Sequence, residues 1–390
     1  MSFYKFNHVK VSAISVVVPE HEISIYDEAM YYDNNIKKID RMRKIVGFFK
    51  RRTADEDVTP SDLAIAAANN LFEEQSIEKG SIDALIYVHQ KLSYPGPVDA
   101  YEIHHKLGLS PDCICTSVLQ GCAGWVYGLF LCSQMIESGG IKRILLLNAD
   151  TPSVGINIKD RNLAPIFGDG GSATFIEFSE EQIESFFGVS TFSSGFDTII
   201  SPAGGCRLRY NHNLPPDDPF NAPLVDKFTS KAGYLTRLMA GHMDGDAVFE
   251  FTMNKVPEQI KSVLSFSGYK HSDIAKCCLH QANKQIVQTV ACAAGFSIED
   301  APCSVFENYG NNTMCSIPSV LSEILSKEES KLETKPYLCS GFGNGLVVAT
   351  AILDLKNTFS SGIKNFEKDA DFKTRSQWID YWKSKVAGKI

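Results

Sequence analysis

The stretch Gln120-Gly121-Cys122-Ala123-Gly124-Trp125 separates a small, mostly apolar run from a segment with helical character. Cys113 to Val118 reads as a strand, and the residues after Cys122 read as a helix to about Ile136, ahead of Gly139-Gly140. A cysteine just before a first helical turn meets unpaired backbone N–H groups and the positive end of the helix dipole, which favour its thiolate. Gly121 and Gly124 carry no side chain and leave room for a substrate to come close. By itself this pattern fits a buried structural cysteine at least as well. Two further segments shift the balance: Leu279-His280-Gln281-Ala282-Asn283 and Tyr309-Gly310-Asn311-Asn312-Thr313. His280 ends an apolar run that begins at Ile274, and open α/β sheets present ligand-contacting residues at the C-terminal ends of their strands. Asn311 lies in a polar loop before a helix, where a lone asparagine is usually a turn or cap residue. A nucleophilic thiol, a base or hydrogen-bond donor and an amide donor together imply chemistry on a thioester, with Cys122 carrying the acyl group.

Working outward, the same grammar appears twice. Val9 to Val18, Ile82 to Val88, Ile144 to Asn148 and Ala173 to Phe178 have strand length and apolar character. Helical spacing through Leu63, Ala64, Ala67 and Leu71 predicts a helix over Pro60 to Glu74, and Tyr101 to Leu107 reads as a short helix stopped at Gly108. In the second half, strands are expected at Phe187–Ser190, Cys277–His280 and Leu346–Asp354. Helices are expected at Phe249–Phe266, Asn283–Ala294 and Ser316–Ser326. Strands alternating with long helices imply sheets covered by helices, an α/β protein. The repeated order predicts two pseudo-duplicated halves, 1–180 with the cysteine and 181–390 with the histidine and asparagine. A Gly/Pro-rich excursion interrupts the second half from Ser201 to about Phe228. From about Thr358 a C-terminal extension carries Phe366, Phe372, Trp378, Ile379, Tyr381 and Trp382 among many charges, the pattern of an amphipathic helix packing back on the body.

Composition narrows the function classes. The 390 residues are 44% hydrophobic and 22% charged, enough for a large core in one compact unit or two domains. Formal charge is −8 with scattered basic residues, which argues against nucleic acid as a main partner but allows a local phosphate pocket. No apolar run is long enough for a membrane span, and the N-terminus lacks a secretion-signal pattern. Eleven cysteines, an odd number in a long chain, fit reduced thiols in a cytoplasmic protein. No metal is expected: Cys113-Ile114-Cys115 and Cys277-Cys278 lack a second ligand pair at zinc-site spacing.

Taken together, Gln120-Gly121-Cys122-Ala123-Gly124, Ile166-Phe167-Gly168-Asp169-Gly170, Met243 to Phe249, His280-Gln281-Ala282-Asn283, Tyr309-Gly310-Asn311 and Gly341-Phe342-Gly343 resemble the β-ketoacyl-acyl-carrier-protein synthase III family of the thiolase fold. The resemblance runs from Val9 to Leu355 in order and broad spacing. It implies a five-layered αβαβα fold, a homodimer, and a catalytic set on Cys122, His280 and Asn311. It also implies a backbone oxyanion hole from the amides of Cys122 and Asn344. No bound prosthetic group is implied; coenzyme A or phosphopantetheine thioesters are the substrates, and acyl-carrier protein is an expected partner. Arg161 falls on the family's nucleotide contact, and Gly245, Phe249, Ala282 and Asn283 on its pantetheine channel. Without the family, Arg161 reads as a surface charge and Phe249 as core. The run Lys50-Arg51-Arg52 reads either as a phosphate or carrier-protein patch or as a solvated face.

Three departures stand out. Gln285 replaces the family's usual arginine, with Lys284 adjacent; no tryptophan lies near Ile45–Arg52; and Asn344 stands where glycine is common. With the excursion and the C-terminal extension, they favour a specialised pathway enzyme over the fatty-acid initiator. The expected reaction is decarboxylative Claisen condensation of an acyl thioester with a malonyl thioester. The alternative passes the acyl group from Cys122 to an alcohol, amine or β-keto nucleophile. The sequence does not expose the acceptor or the acyl chain.

Overall fold

The computed structural model describes residues 2–161, 163–231, 233, 235–327 and 333–389. Met1 and Ile390, the outer limits of the two expected halves, lie outside the described residues. Two large sheets organise the chain. The first contains β2 (Val9–Val18), β3 (Ala84–His89), β4 (Ile114–Leu119), β5 (Arg143–Asp150), β6 (Gly170–Phe178) and β11 (Ile363–Asn365), in the order β11-β2-β6-β5-β3-β4. The second contains β1 (Ser2–Phe6), β7 (Ser185–Thr191), β8 (Cys277–Leu279), β9 (Tyr337–Gly343) and β10 (Val347–Leu353), in the order β1-β7-β10-β9-β8.

Alternation along the strands dictates the layering, because successive side chains point to opposite faces. Ala84, Ile86 and Val88 of β3 join one apolar cluster, while Leu85 and Tyr87 join another on the far face. In β10, Val347, Ala349 and Ala351 face the first cluster, and Val348 and Ile352 face a third. The shared middle cluster is filled by helices α4 (Gly124–Glu137) and α8 (Ser316–Leu325), which lie between the sheets. Outside the first sheet pack α2 (Pro60–Gln75) and α3 (Asp99–Leu107); outside the second pack α5 (Gly245–Ser267) and α6 (Lys284–Ala294). This is the αβαβα sandwich that the motifs implied.

Helix α4 is apolar on nearly every side because it touches both sheets. Trp125, Val126, Leu129, Cys132 and Ile136 are fully buried, and each large side chain so placed is worth about 1.5–3 kcal/mol. The Trp125 indole N–H, having no water to meet, donates to Thr174 Oγ1 at 3.0 Å. Helix α2 starts where its sequence says it should: Thr59 and Asp62 form a reciprocal capping box around Pro60, and the chain turns left-handed at Ser76.

Several elements were not expected, among them α1 (Ile36–Val46), β1, β9 and α7 (Ser304–Tyr309). Helix α1 is largely polar, with only Ile39 buried. Strand β9, Tyr-Leu-Cys-Ser-Gly-Phe-Gly, carries Ser340, Gly341 and Gly343, which depress its strand character. It is nevertheless wholly buried between β8 and β10. The C-terminal extension also differs in detail. It first adds β11 parallel to β2 and sets Phe366 and Phe372 against the outer cluster, and only then forms α9 (Arg375–Val386), none of whose residues is buried. The aromatics ahead of the helix therefore anchor the tail more than the helix does. Among the described residues, no helix is long and apolar enough to cross a membrane.

Gly168 marks the tightest backbone contact in the fold. A Cβ there would come 1.9 Å from the Tyr309 carbonyl oxygen, and the partner is backbone that cannot rotate away. Gly168→Ala is expected to cost at least the ~1–3 kcal/mol typical of overpacking, read as a lower melting temperature by calorimetry. An unchanged melting temperature would mean that the contact is not required.

Candidate active site

Strand β9 is the common neighbour of Cys122 and His280, two of the three expected catalytic residues. On one side, a Cβ at Gly341 would lie 2.7 Å from Ala123 Cα, and one at Gly343 would lie 3.3 Å from Cys122 Sγ. Gly343 also has φ +149°, so any side chain there would be strained and would sit on the sulfur. On the other side, the His280 backbone N–H donates to Ser340 O at 2.9 Å, and the His280 ring stands edge-on to Phe342 at 5.4 Å between centroids. His280 follows the last residue of β8, at the strand end where it was expected.

The turn before α8 completes the arrangement. His280 Nδ1 and Ser316 Oγ are 2.8 Å apart, and the same hydroxyl oxygen accepts from the Gln281 N–H at 3.3 Å. The Thr313 N–H donates to Asn311 Oδ1 at 2.9 Å, which turns the NH2 end of that amide the other way. Cys315 Sγ donates to the carbonyls of Asn148 and Gly170 at 3.3 and 3.4 Å, stitching the turn to β5 and β6. Met314 packs against the first residue of α4, since a Cβ at Gly124 would meet Met314 Cβ at 3.1 Å. Cys122 and His280 thus both lie against β9, and the turn that carries Asn311 leads to Ser316 at the His280 ring and packs Met314 against the start of α4.

Electrostatics oppose the simplest reading of Cys122. Although the residue keeps partial solvent contact, burial of its thiol pushes it up to about 12, with the charge of Asp150 adding to the rise and its own backbone amide working against it. Burial pulls the His280 ring down to about 3, and a backbone hydrogen bond with Thr313 does not offset it. At neutral pH the thiol is protonated and the imidazole uncharged.

Two residues the sequence reading passed over lie here. Asp150 ends β5 and is 2% exposed. Its Oδ2 accepts from Gln90 Nε2 at 3.0 Å, and its Oδ1 accepts from the Thr151 N–H at 2.9 Å. Gln90 Oε1 in turn accepts from Asn344 Nδ2 at 3.4 Å, so Asn344 contributes a side-chain contact in the turn after β9. The signal was present: each residue lies at or just past the C-terminal end of a largely apolar strand.

The expected thioester-channel residues fare unevenly. Arg161 is not a free surface charge: it donates to Glu28 Oε2 at 2.9 Å and to Tyr32 Oη at 2.8 Å, with its guanidinium over the Tyr31 and Tyr32 rings. Phe249 is 43% exposed, which rules out the core reading, and Gly245 opens α5 with nothing near its Cα. Asn283 caps α6, its side chain accepting from the Ile286 N–H at 2.8 Å, and Ala282 is partly buried against the outer cluster. Lys284 pairs with Glu307 at 2.6 Å. The run Lys50-Arg51-Arg52 is neither an anion patch nor a solvated face. Arg51 is buried in a bidentate pair with Glu28 at 2.5 and 3.0 Å, while Lys50 and Arg52 reach Glu22 at 2.7 and 3.4 Å. Burial works to raise the Glu28 carboxyl, but hydrogen bonds from Arg51 and Arg161 outweigh it and hold the group below its ordinary range.

The chain matches two family models, 3-oxoacyl-[acyl-carrier-protein] synthase III over residues 117–195 and its C-terminal model over 264–355. It is 36% identical over 366 residues to the "Putative 3-oxoacyl-[acyl-carrier-protein] synthase 3" of Campylobacter jejuni, covering 94% of this chain and 99% of that one. A β-ketoacyl-[acyl-carrier-protein] synthase III from Streptococcus sanguinis is 28% identical over 350 residues, 90% of this chain and all of the other. Among solved structures, a 3-oxoacyl-(acyl-carrier protein) synthase from Burkholderia xenovorans superposes with a TM-score of 0.83 at 27% identity, covering 93% and 99% of the two chains.

A thiol lifted to about 12 is almost wholly protonated at neutral pH, so its labelling is expected to accelerate about tenfold per unit between pH 7 and 10 without a plateau. Mass spectrometry of the Cys122 peptide during iodoacetamide treatment measures this. A plateau near pH 8 would show instead that the start of α4 holds a resident thiolate.

Proposed function

Because the chain belongs to the 3-oxoacyl-[acyl-carrier-protein] synthase III family, an enzyme family of thiolase fold and Claisen-condensation chemistry, we propose that it carries out decarboxylative condensation through an acyl-Cys122 intermediate. The observation that supports this reading is that β9 approaches Cys122 at Gly343 and His280 at Ser340, while Ser316, just past the turn that carries Asn311, meets the His280 ring. In the first half-reaction the Cys122 sulfur bonds to the acyl carbon of a coenzyme A or carrier-protein thioester. The old carbon–sulfur bond breaks, and the thiol proton leaves with the displaced thiol.

In the second half-reaction the malonyl carboxylate departs as carbon dioxide, and its bonding pair moves into an enolate. His280 suits this step as a neutral donor. In this reading the Ser316 hydroxyl, 2.8 Å from Nδ1, donates to it, and the ring proton is assigned to Nε2. With its oxygen held by Thr313, Asn311 offers its NH2 group to the same developing charge. The enolate carbon attacks acyl-Cys122, and the tetrahedral oxygen is served by backbone amides of Cys122 and the turn at Asn344. Sulfur then leaves and recaptures a proton from water, which its high proton affinity favours. Arg161, together with Tyr31, forms the proposed edge of a nucleotide pocket, with Gly245, Phe249, Ala282 and Asn283 along the pantetheine path. The halves 1–180 and 181–390 would supply nucleophile and donors respectively.

A homodimer is proposed on the free edge of the first sheet. Strand β4 ends the strand order, and Ile114 and Leu119 on it are 53% and 67% exposed. A second copy pairing there would cover an exposed strand edge that invites association. Light scattering should report two chains for the wild type and one for Leu119→Glu; a monomeric wild type would refute this assembly.

Intact-protein mass after exposure to acyl thioesters, followed by malonyl thioester, tests the reaction. Cys122→Ala should lose the acyl adduct entirely. His280→Ala or Asn311→Ala should still load, yet release carbon dioxide about a hundredfold more slowly or worse. An adduct that forms and ignores malonyl donors would transfer the reading to acyl transfer onto another nucleophile.

A further inference from the structure

The proposed reaction assigns no step to Asp150, yet this carboxylate is tied to two sides of the site. Gln90 links it to Asn344 in the turn after β9, and the Gln90 oxygen would also lie 3.2 Å from a Cβ at Gly121, next to the nucleophile. On the other side it faces Thr313, whose N–H holds Asn311. The Thr313 hydroxyl is directed at Met314 Sδ at 3.0 Å but lies close enough to Asp150 to favour its charged form, and a carboxylate is much the better acceptor.

A neutral side chain could accept the same hydrogen bonds without bringing a charge into the interior. Among the described residues no cation forms an ion pair with Asp150: Lys91 Nζ donates to the carbonyls of Thr151 and Val154, both at 2.6 Å. Asp169, the other carboxylate facing it, is held by Ala54 and Ser153. Tyr87, Cys122 and Cys315 complete the titratable groups that feel its charge.

We propose that Asp150 is a positioning residue whose buried carboxylate holds Gln90, and through it the Asn344 turn beside Gly121, and whose negative charge is set against the Cys122 thiol. Burial pushes Asp150 up to about 6, with Asp169 reinforcing the rise and Lys91, the Thr151 N–H and Thr313 opposing it. Asp150 therefore gains its charge as pH rises through about 6, and above that point it makes Cys122 harder to ionise.

The test uses the full chain and methyl methanethiosulfonate, with labelling of the Cys122 peptide followed from about pH 5 to 8. The wild-type profile should flatten around pH 6 as Asp150 ionises, and Asp150→Asn should remove the bend. At pH 8 the variant should label about threefold faster: a thiol about one unit lower gives tenfold more thiolate, tempered by weaker nucleophilicity. Its condensation should nevertheless slow about tenfold through lost positioning. General loosening would also speed labelling but would leave the bend in place. Gln90→Leu, which keeps the charge, should retain the bend and still slow condensation. A straight wild-type profile, or a bend that survives Asp150→Asn and so belongs to Asp169, overturns the electrostatic role. Wild-type condensation in Gln90→Leu overturns the positioning role, and Gln90→Leu carries that arm alone if Asp150→Asn does not fold.

The kinetic arm rests on Cys122 as acyl carrier, whereas the labelling arm does not. A straight profile with condensation running through Cys122 would sink this proposal and leave the reaction standing. A bent profile with no acyl adduct would do the reverse.

Discussion

The site depends on one contact, the approach of β9 to the first residues of α4. A Cβ at Gly341 would intrude to 2.7 Å of Ala123 Cα, and one at Gly343 would touch the sulfur of Cys122. Only a strand with glycines at alternate positions comes that close, and those glycines weaken the strand itself. Burial on both faces and pairing with β8 and β10 hold it in place. Once β9 is fixed, His280 is placed by its backbone bond to Ser340, and the Asn344 turn follows directly. Cys122 and His280 are therefore both positioned by one glycine-bearing strand shared between the elements that carry them.

This arrangement explains which features could be read from the chain. The buried strands and the long helices announce themselves by apolar periodicity, and Thr59 with Asp62 even marks where α2 begins. Cys122, His280 and Asn311 were legible because each occupies a compact motif of unusual composition. Strand β9 was not, since the property that lets it approach α4 is the property that hides it from a propensity argument. Paired charges were equally opaque. Lys50-Arg51-Arg52 looks like a cationic surface, and only the fold brings Glu28 and Glu22 to neutralise it from more than twenty residues away. Asp150 and Gln90 were visible as polar ends of apolar strands, but their roles depend on partners far along the chain.

The cysteine also shows why a correct local argument can give the wrong sign. A helix start favours negative charge by about 0.3–1 kcal/mol, up to ~2 in favourable partly buried settings. A thiol lifted from 9.0 to about 12 reflects roughly 4 kcal/mol against ionisation. Burial, aided by Asp150, exceeds the dipole contribution. At rest the thiol is protonated and a poor nucleophile, so under the proposed reaction orientation toward the thioester would have to supply what ionisation does not. A thiol held in that state also resists stray alkylating agents.

The exchange of end strands carries the same logic to the whole chain. Strand β1, from the extreme N-terminus, closes the second sheet beside β7, and β11, from the C-terminal extension, closes the first beside β2. Each sheet is thus completed by the other half. Helices α4 and α8 start on either side of the site and are buried between both sheets. Segments from both ends of the chain therefore border the two sheets between which α4 and α8 are packed, so loosening either sheet would disturb the starts of both helices, where Cys122 and Ser316 lie.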